Sequence, residues 1–411
     1  MTHLLLLLIY LTFISLGLPD AMLGSAWPNM HVDLNVPISY AGFITVIITL
    51  GSITSSLLSA KLNKKLGIGV VFISVFMTAI ALFGFSISHK FYMLCLFAIP
   101  YGLGAGGIDS TLNNYVATHY KANHMSWLHS MWGIGFTVGP YAMGLALTNN
   151  KPWNYGYLYI SIIQFSIFLI LILTSKLWKK QTNKVEDTEV ENAHYKFKDV
   201  FKTKGFVILL ISFFCYCALE QTTALWATTY LVEVNDIDPN IGAYFASLFC
   251  IGITVGRIIN GFIAMKLKDR QMIRIGLVII LIGIVLILLN IHPIVSYVGF
   301  VLIGLGCAPI FPSVIHSIPI YFDKKISSSL IGVAMAGAYF GVLAMPPLFG
   351  ILARYINVNI LPIYLLVLLI IIFLGHEVLL KKALEDPDSE YRDYYYNSNY
   401  VYIKRITKRC T

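Results

Sequence analysis

Ala98-Ile99-Pro100-Tyr101-Gly102-Leu103-Gly104-Ala105-Gly106-Gly107-Ile108-Asp109-Ser110-Thr111-Leu112-Asn113-Asn114-Tyr115 is the inner part of an apolar run that begins near Phe91, yet it holds one carboxylate and two amides. An ionised side chain at the centre of a membrane helix costs roughly 2.5 to 3.5 kcal/mol on the gentlest scale, so it faces a protein interior or a wet cavity. Asp109 is therefore a functional candidate. At 3.6 residues per turn Gly102, Gly106, Asp109 and Asn113 share one stripe, small above and polar below, which predicts a helix lining a narrow polar path.

The remainder of the chain places this helix in a membrane. Of 411 residues 57% are hydrophobic and 12% charged, against about 25% charged in soluble proteins, and the mean hydropathy is +0.76. Apolar runs of about 20 residues, long enough to cross a bilayer, number twelve: 4–31, 38–60, 67–88, 91–118, 126–147, 154–176, 205–232, 241–265, 273–290, 294–321, 327–353 and 357–380. The Leu-rich first run lacks a basic flank and continues to about Met30, so it reads as a membrane helix and not a signal peptide.

The net charge of +9 is topological. Of the 29 Lys and Arg, 25 fall in alternate connections and the tail, whereas the opposite side holds only Lys90, Lys151 and Arg354 and Arg257 lies within a helix. The positive-inside rule then puts both termini in the cytoplasm, which removes nucleic acid as a partner. Cys95, Cys215, Cys217, Cys250 and Cys307 lie in apolar runs and Cys410 in the tail, so no disulfide framework is expected.

The halves repeat. Gly51-Ser52 through Lys61-Leu62 aligns with Gly256-Arg257 through Lys266-Leu267 at an offset of 205, Gly102-Leu103-Gly104 with Gly304-Leu305-Gly306 at 202, and Gly139-Pro140 with Met345-Pro346 at 206. Three near-equal offsets predict an all-α membrane protein of twelve transmembrane helices in two pseudo-symmetric six-helix bundles. The expected divisions are a bundle over 1–178, a cytoplasmic linker over 179–203, a second bundle over 204–382 and a cytoplasmic tail over 383–411.

Embedded carboxylates fall on helices 1, 4 and 7, as Asp20, Asp109 and Glu220. A membrane acid that only packs could be Asn at lower cost, which favours a functional reading over a structural one. Asp20 shares a face with Gly17, Gly24 and Trp27, and Glu220 one with Tyr216, Thr223 and Tyr230. Because helices 1 and 7 lead the two halves, these acids are expected to face each other across a cavity. Trp27, Trp132 and Trp226 fit either interfacial anchoring or stacking on a solute. Asn113, Asn114, Gln221 and His129 fit either solute hydroxyls or interhelical hydrogen bonds, and Gly133, Gly135, Gly139 and Pro140 allow close packing of helix 5. Arg257 is expected to serve the cytoplasmic gate, held by a carbonyl or an acid, and not the solute site. Two apparent motifs fail: Gly102 to Gly107 fits G-x-G-x-x-G without a βαβ context, and His376-Glu377 lacks a second His because position 380 is Leu380; no Walker sequence exists.

Twelve helices, the long linker after the sixth, the repeated Gly-rich turn and Gly139-Pro140 resemble the major facilitator superfamily over residues 1 to 382. Lys64 stands where that superfamily often has Asp. Within it, Gly17-Leu18-Pro19-Asp20 with Gly24 and Trp27, the run from Asp109 to Tyr115, and Leu128-His129 before Gly133 and Gly135 are similar to the fucose, galactose and glucose proton symporters. The resemblance implies proton coupling and sugar binding at Asp20 and Asp109. The helix 4 acid is often Glu in that family and is Asp here, and Asn114 replaces a common Pro, so the solute can differ.

The expected function is secondary transport without an enzymatic step: import of a monosaccharide or similar small polar solute by alternating access, driven by a proton or sodium gradient, with no cofactor. The expected setting is the plasma membrane, with lipid, solute and ion as partners and the chain as a monomer. Two alternatives stay open: a proton-coupled exporter of drugs or metabolites, and a non-transporting scaffold or sensor acting through the Tyr-rich tail.

Overall fold

The computed structural model describes residues 2–175 and 203–385 apart from 68, 121, 265 and 323, together with 177, 178 and 201. Most of the expected linker and of the expected tail lies outside the described residues. Among those residues the chain is helical throughout, with no strand. Helices are what the composition dictates, because a backbone in hydrocarbon has to satisfy its own N–H and C=O groups.

The first half comprises α1 (Thr2–Gly17), α2 (Met22–Asp33), α3 (Ala41–Leu66), α4 (Gly69–Ser86), α5 (Phe91–His119), α6 (Ala122–Thr148) and α7 (Trp153–Leu173). The second comprises α8 (Phe206–Asn235), α9 (Pro239–Ile263), α10 (Asp269–Leu289), α11 (Pro293–Cys307), α12 (Ile310–Tyr321), α13 (Lys324–Tyr355) and α14 (Leu361–Glu385). Among the described residues eleven spans are long and apolar enough to cross a membrane; α1 with α2 forms one over Leu4–Asp33, and α11 with α12 another over Pro293–Tyr321. The 27-residue α6, interrupted in polarity by His124 and His129, lies between α1 and α9 and completes the twelve.

Two of the twelve spans are broken at mid-length. The first turns at Leu18-Pro19-Asp20, where the Asp20 amide hydrogen-bonds back to the Gly17 carbonyl (3.2 Å) and the Met22 amide to the Pro19 carbonyl (3.1 Å). The tenth breaks at Ala308-Pro309. A proline removes a backbone donor and clashes with the preceding turn. Backbone broken in this way is tolerated at membrane depth only where protein or a cavity surrounds it.

The repeat seen in the sequence reappears as packing. A side chain at Gly102 would meet the Ile48 carbonyl of α3, and one at Gly304 the Phe249 carbonyl of α9; likewise Gly104 is closed off by the Ser74 carbonyl and Gly306 by the Gly276 carbonyl. Each pair is displaced by about 202 residues, so both halves bring the same backbones together in the same way. This corrects one expectation. Gly102 and Gly106 face α3, not a polar path, and only Asp109 and Asn113 are left half-exposed.

Helices α1 and α6 touch through small residues on both sides. A Cβ on Gly135 would strike the Ile14 carbonyl and one on Gly139 the Leu18 carbonyl, while a Cβ on Gly17 would strike the Trp132 carbonyl. Gly139→Leu should therefore push α6 off α1 and cost about 3 kcal/mol or more through overpacking. Gly261→Ala, where no atom lies within 4 Å of the added carbon, should leave stability unchanged or slightly raised. Thermal unfolding of the purified variants followed by size exclusion checks both, and equal behaviour of the two would refute the packing account.

Between the halves, contact is dense at the end remote from the chain termini. There Gly24 of α2 packs on the backbone of Ala224 and Leu225 in α8, and Gly42 on Pro347 of α13. Asn29 donates to Asn240 (3.1 Å), and Thr148 meets the Tyr244 hydroxyl (3.2 Å). Below this seal, at the break between α1 and α2, Asp20 is exposed.

Candidate functional site

The break in the first span frees Asp20 from a regular helix and turns its carboxylate toward α5 and α6. Both oxygens accept: Oδ1 from the Tyr101 hydroxyl (2.9 Å) and Oδ2 from the Trp132 indole N–H (2.7 Å). Trp132 is held by stacking on Phe136, with centroids 4.5 Å apart, and its other neighbour comes from the second half. The guanidinium of Arg257 in α9 lies 4.6 Å from the Trp132 ring centroid, a cation–π contact.

Arg257 turns next to α8. Its Nη2 is 3.7 Å from Glu220 Oε1, with both side chains largely buried, and its Nη1 reaches the His129 carbonyl at 3.5 Å. Glu220 is also hydrogen-bonded to the Tyr216 hydroxyl, one turn away on the same helix, and that hydroxyl lies 2.9 Å from the Cys307 carbonyl at the break in the tenth span. An unbroken chain, Tyr101–Asp20–Trp132–Arg257–Glu220–Tyr216–Cys307, thus joins the two discontinuous spans through the centre of the molecule.

A phenol carries one proton, and the Tyr216 hydroxyl lies between the Glu220 carboxylate and the Cys307 carbonyl, so it ties α8 to the break in the tenth span.

Asp109 lies eight residues beyond Tyr101, about 12 Å along α5. It accepts from the Asn113 amide (2.8 Å), and the Tyr339 hydroxyl of α13 stands 3.5 Å away across the interface between halves. Asn114 is exposed, and Gln221 and His129 are half-buried, the latter edge-on to Phe13 at 5.9 Å. Asp20 and Glu220 face each other as expected from their helices, but through Trp132 and Arg257 and not directly. Arg257 is held by an acid and a carbonyl, but beside Trp132 in the polar centre and not at a gate apart from it.

Two tryptophans are not where a solute-stacking role requires. Trp27 and Trp226 are fully buried. The first donates to the Ile38 carbonyl (2.6 Å), the second to the Pro346 carbonyl (3.0 Å). Each ring fills the core of the seal and its one donor is spent, so neither offers a face. Among the three, Trp132 alone is half-buried. Sequence reasoning missed Tyr101 and Tyr339; Tyr101 stood two turns from Asp109 in the decisive stretch, but only the fold shows that its hydroxyl serves Asp20.

An all-helical membrane protein whose two repeated halves meet at a charged centre, with broken helices at that centre, has the architecture of a solute carrier. The chain belongs to the Major Facilitator Superfamily, whose family model matches residues 9–289 and 209–392, and it is a transporter and not an enzyme. Among curated proteins it is 23% identical over 339 residues to the glucose/mannose transporter GlcP of Bacillus subtilis, covering 81% of this chain and 84% of that one. It is 22% identical over 391 residues to Bypass of stop codon protein 6 of Saccharomyces cerevisiae, covering 85% and 77%, and 26% identical over 260 residues to the quinolone resistance protein NorA of Staphylococcus aureus, covering 59% and 63%. Solved structures of the same fold include the peptide transporter POT (TM-score 0.74, 14% identity, 92% of this chain and 94% of that one) and FucP in an outward conformation (TM-score 0.60, 13% identity, 91% and 98%).

Proposed function

We propose that this transporter is a proton-coupled symporter of a monosaccharide or a similar small polar solute. The observation that carries the reading is the polar chain between the halves. Of the three embedded carboxylates, Glu220 pairs with Arg257, whereas Asp20 and Asp109 are held by neutral donors among the described residues, in a membrane setting where unbalanced charge is costly. A mobile cation, a proton or a sodium ion, completes the balance, and no cofactor is required. The solute would sit below the seal, between Trp132, His129 and Gln221 on one level and Asp109, Asn113 and Asn114 on the other.

The similarity to a glucose/mannose transporter supports a sugar-like solute. With both termini in the cytoplasm of a plasma-membrane carrier, as the distribution of Lys and Arg implies, the sealed end is external and the exposed Asp20 opens inward. The linker 179–203 and the tail 383–411 would then face the cytoplasm, and the chain would work as a monomer. A proton-coupled exporter is the second reading, favoured by the similarity to NorA; the amides on α5 weigh toward a small polar solute. A scaffold acting through the tail has less behind it, because it leaves the charged centre without a role.

Uptake of labelled glucose, fucose, galactose and N-acetylglucosamine into proteoliposomes, with an inward proton gradient and with or without sodium, tests the reading. Accumulation that collapses with a protonophore is the expected result. Dependence on sodium alone would replace the ion, and absence of uptake for every sugar would bring the exporter reading forward.

A further inference from the structure

Between α8, α10, α12 and α14 the second half contains a partly open cavity of about 20 Å³. That is room for one water molecule. Its polar wall is His376, Tyr216, Ser212, Ser317 and Tyr321. His376 is 5% exposed. Its ring hydrogen-bonds the Arg270 backbone, while Nε2 has no hydrogen-bond partner among the described residues. A buried imidazole nitrogen left bare is destabilising, and such a group beside a water-sized cavity points to a bound hydroxylic partner. The two serines already donate to carbonyls of their own helices, Ser212 to Ile208 (2.8 Å) and Ser317 to Val314 (2.8 Å). Their oxygens therefore offer lone pairs to a water, as His376 does.

Tyr216 belongs to both places. It walls this cavity and its hydroxyl holds Glu220. Glu220, Tyr216 and Ser212 are spaced by four along α8, one face of the helix running about 12 Å from the charged centre toward the chain-terminal end. His376 is on α14, within two turns of the exposed Lys381 and Lys382 at the same end.

We infer that the cavity is a one-water proton station that connects Glu220, through Tyr216, to His376, giving the proton a route inside the second half and separate from the solute path. This rests on the reading of Glu220 as a proton site. In the transfer Glu220 gives its proton to the Tyr216 oxygen, Tyr216 passes its own proton to the water, and the water passes one to His376 Nε2. One proton moves from carboxyl to imidazole, while Tyr216 and the water end as they began. Besides Tyr216 and Tyr321, the charged groups around His376 are Glu377 on its own helix and Arg274 of α10. These two form a bidentate pair at 2.7 and 2.6 Å and so leave His376 little net field. His316 points elsewhere, to Asp269 (2.7 Å).

The test needs no solute. After a rapid pH jump on the purified full chain in nanodiscs, the infrared carbonyl stretch of a protonated carboxyl is followed, and the Glu220 band is assigned by its loss in Glu220→Gln. His376→Leu and Tyr216→Phe should slow the decay of that band by on the order of a hundredfold, the smaller end of what a positioned proton-transfer group contributes, and retain its amplitude. His376→Gln, which fills the same space and holds a hydrogen bond, should be equally slow and covers the case in which the leucine variant does not fold. Wild-type rates in both His376 variants would overturn the route and leave the cavity as packing. Absence of any band dependent on Glu220 would instead remove the proton site on which the route rests.

Discussion

Asp20→Asn should lower proton-driven accumulation of the transported sugar by about a hundredfold, equivalent to about 2.7 kcal/mol of lost coupling, and leave exchange of labelled for unlabelled sugar across the membrane within about tenfold of the parent. The reason is in the two donors that Asp20 serves. Tyr101 and Trp132 each offer a hydrogen to a different carboxylate oxygen. An amide at this position accepts at one atom and presents N–H to the other donor, leaving one donor unsatisfied at a cost of about 1 to 3 kcal/mol. It also cannot bind or release a proton. Exchange needs the path to open and close with solute aboard but needs no net proton movement, so it should survive. Full accumulation by the variant would remove Asp20 from the coupling.

The second large effect concerns the pair between the halves of the site. Arg257→Gln leaves Glu220 in a low-dielectric interior without its cation, a loss that typically costs about 3 to 5 kcal/mol when a buried pair is broken from one side. Glu220→Gln strands Arg257 in the same way, eased by the Trp132 ring and the His129 carbonyl. The double variant buries no net charge and should recover part of the loss. A coupling energy of about 2 kcal/mol from the cycle is expected. Thermal unfolding of the four proteins measures it; strictly additive losses would mean that the 3.7 Å contact carries no energy. A third residue shares this pair, since Tyr216 can take over Glu220 when its charge is gone, so Tyr216→Phe should make Glu220→Gln less well tolerated.

Much of this was legible in the residues, and the limit has a physical cause. Hydropathy fixes the spans because a bilayer imposes length and apolarity on every one of them. Pro19 within Gly17-Leu18-Pro19-Asp20 already marks a helix that cannot continue. The offset of 202 residues became matching glycine-to-carbonyl contacts in both halves, at Gly102 and Gly304 and at Gly104 and Gly306. What a single strand of sequence withholds is partnership across helices. Trp132 and Asp20 are 112 residues apart, and no periodicity within α6 tells which carboxylate its indole meets. Trp27 and Trp226 were open between interfacial anchoring and stacking on a solute for the same reason, and both gave way to burial: what decides is the carbonyl that each indole finds, Ile38 or Pro346, and those belong to other elements. Gly106 and Asp109 share an angular sector of α5, yet one turn of helix is enough for the first to meet α3 and the second to reach past it.

The seam between α6 and α9 differs in kind from the seal between α2 and α8. It runs from Tyr244 against Gly144, through the paired hydroxyls of Thr137 and Thr254 (3.0 Å), to Arg257 at the His129 carbonyl, so these two helices stay together over most of their length, whereas α2 and α8 meet at one end. In mechanical terms the first is a fulcrum and the second a jaw. When the jaw parts, points near the fulcrum travel least, and Trp132, Arg257 and Glu220 all sit beside it. If the halves rock as an alternating-access carrier requires, the charged centre keeps its geometry through the stroke while the mouths at either end trade places, and leverage, not a rebuilding of the site, exposes one set of residues to the two sides in turn.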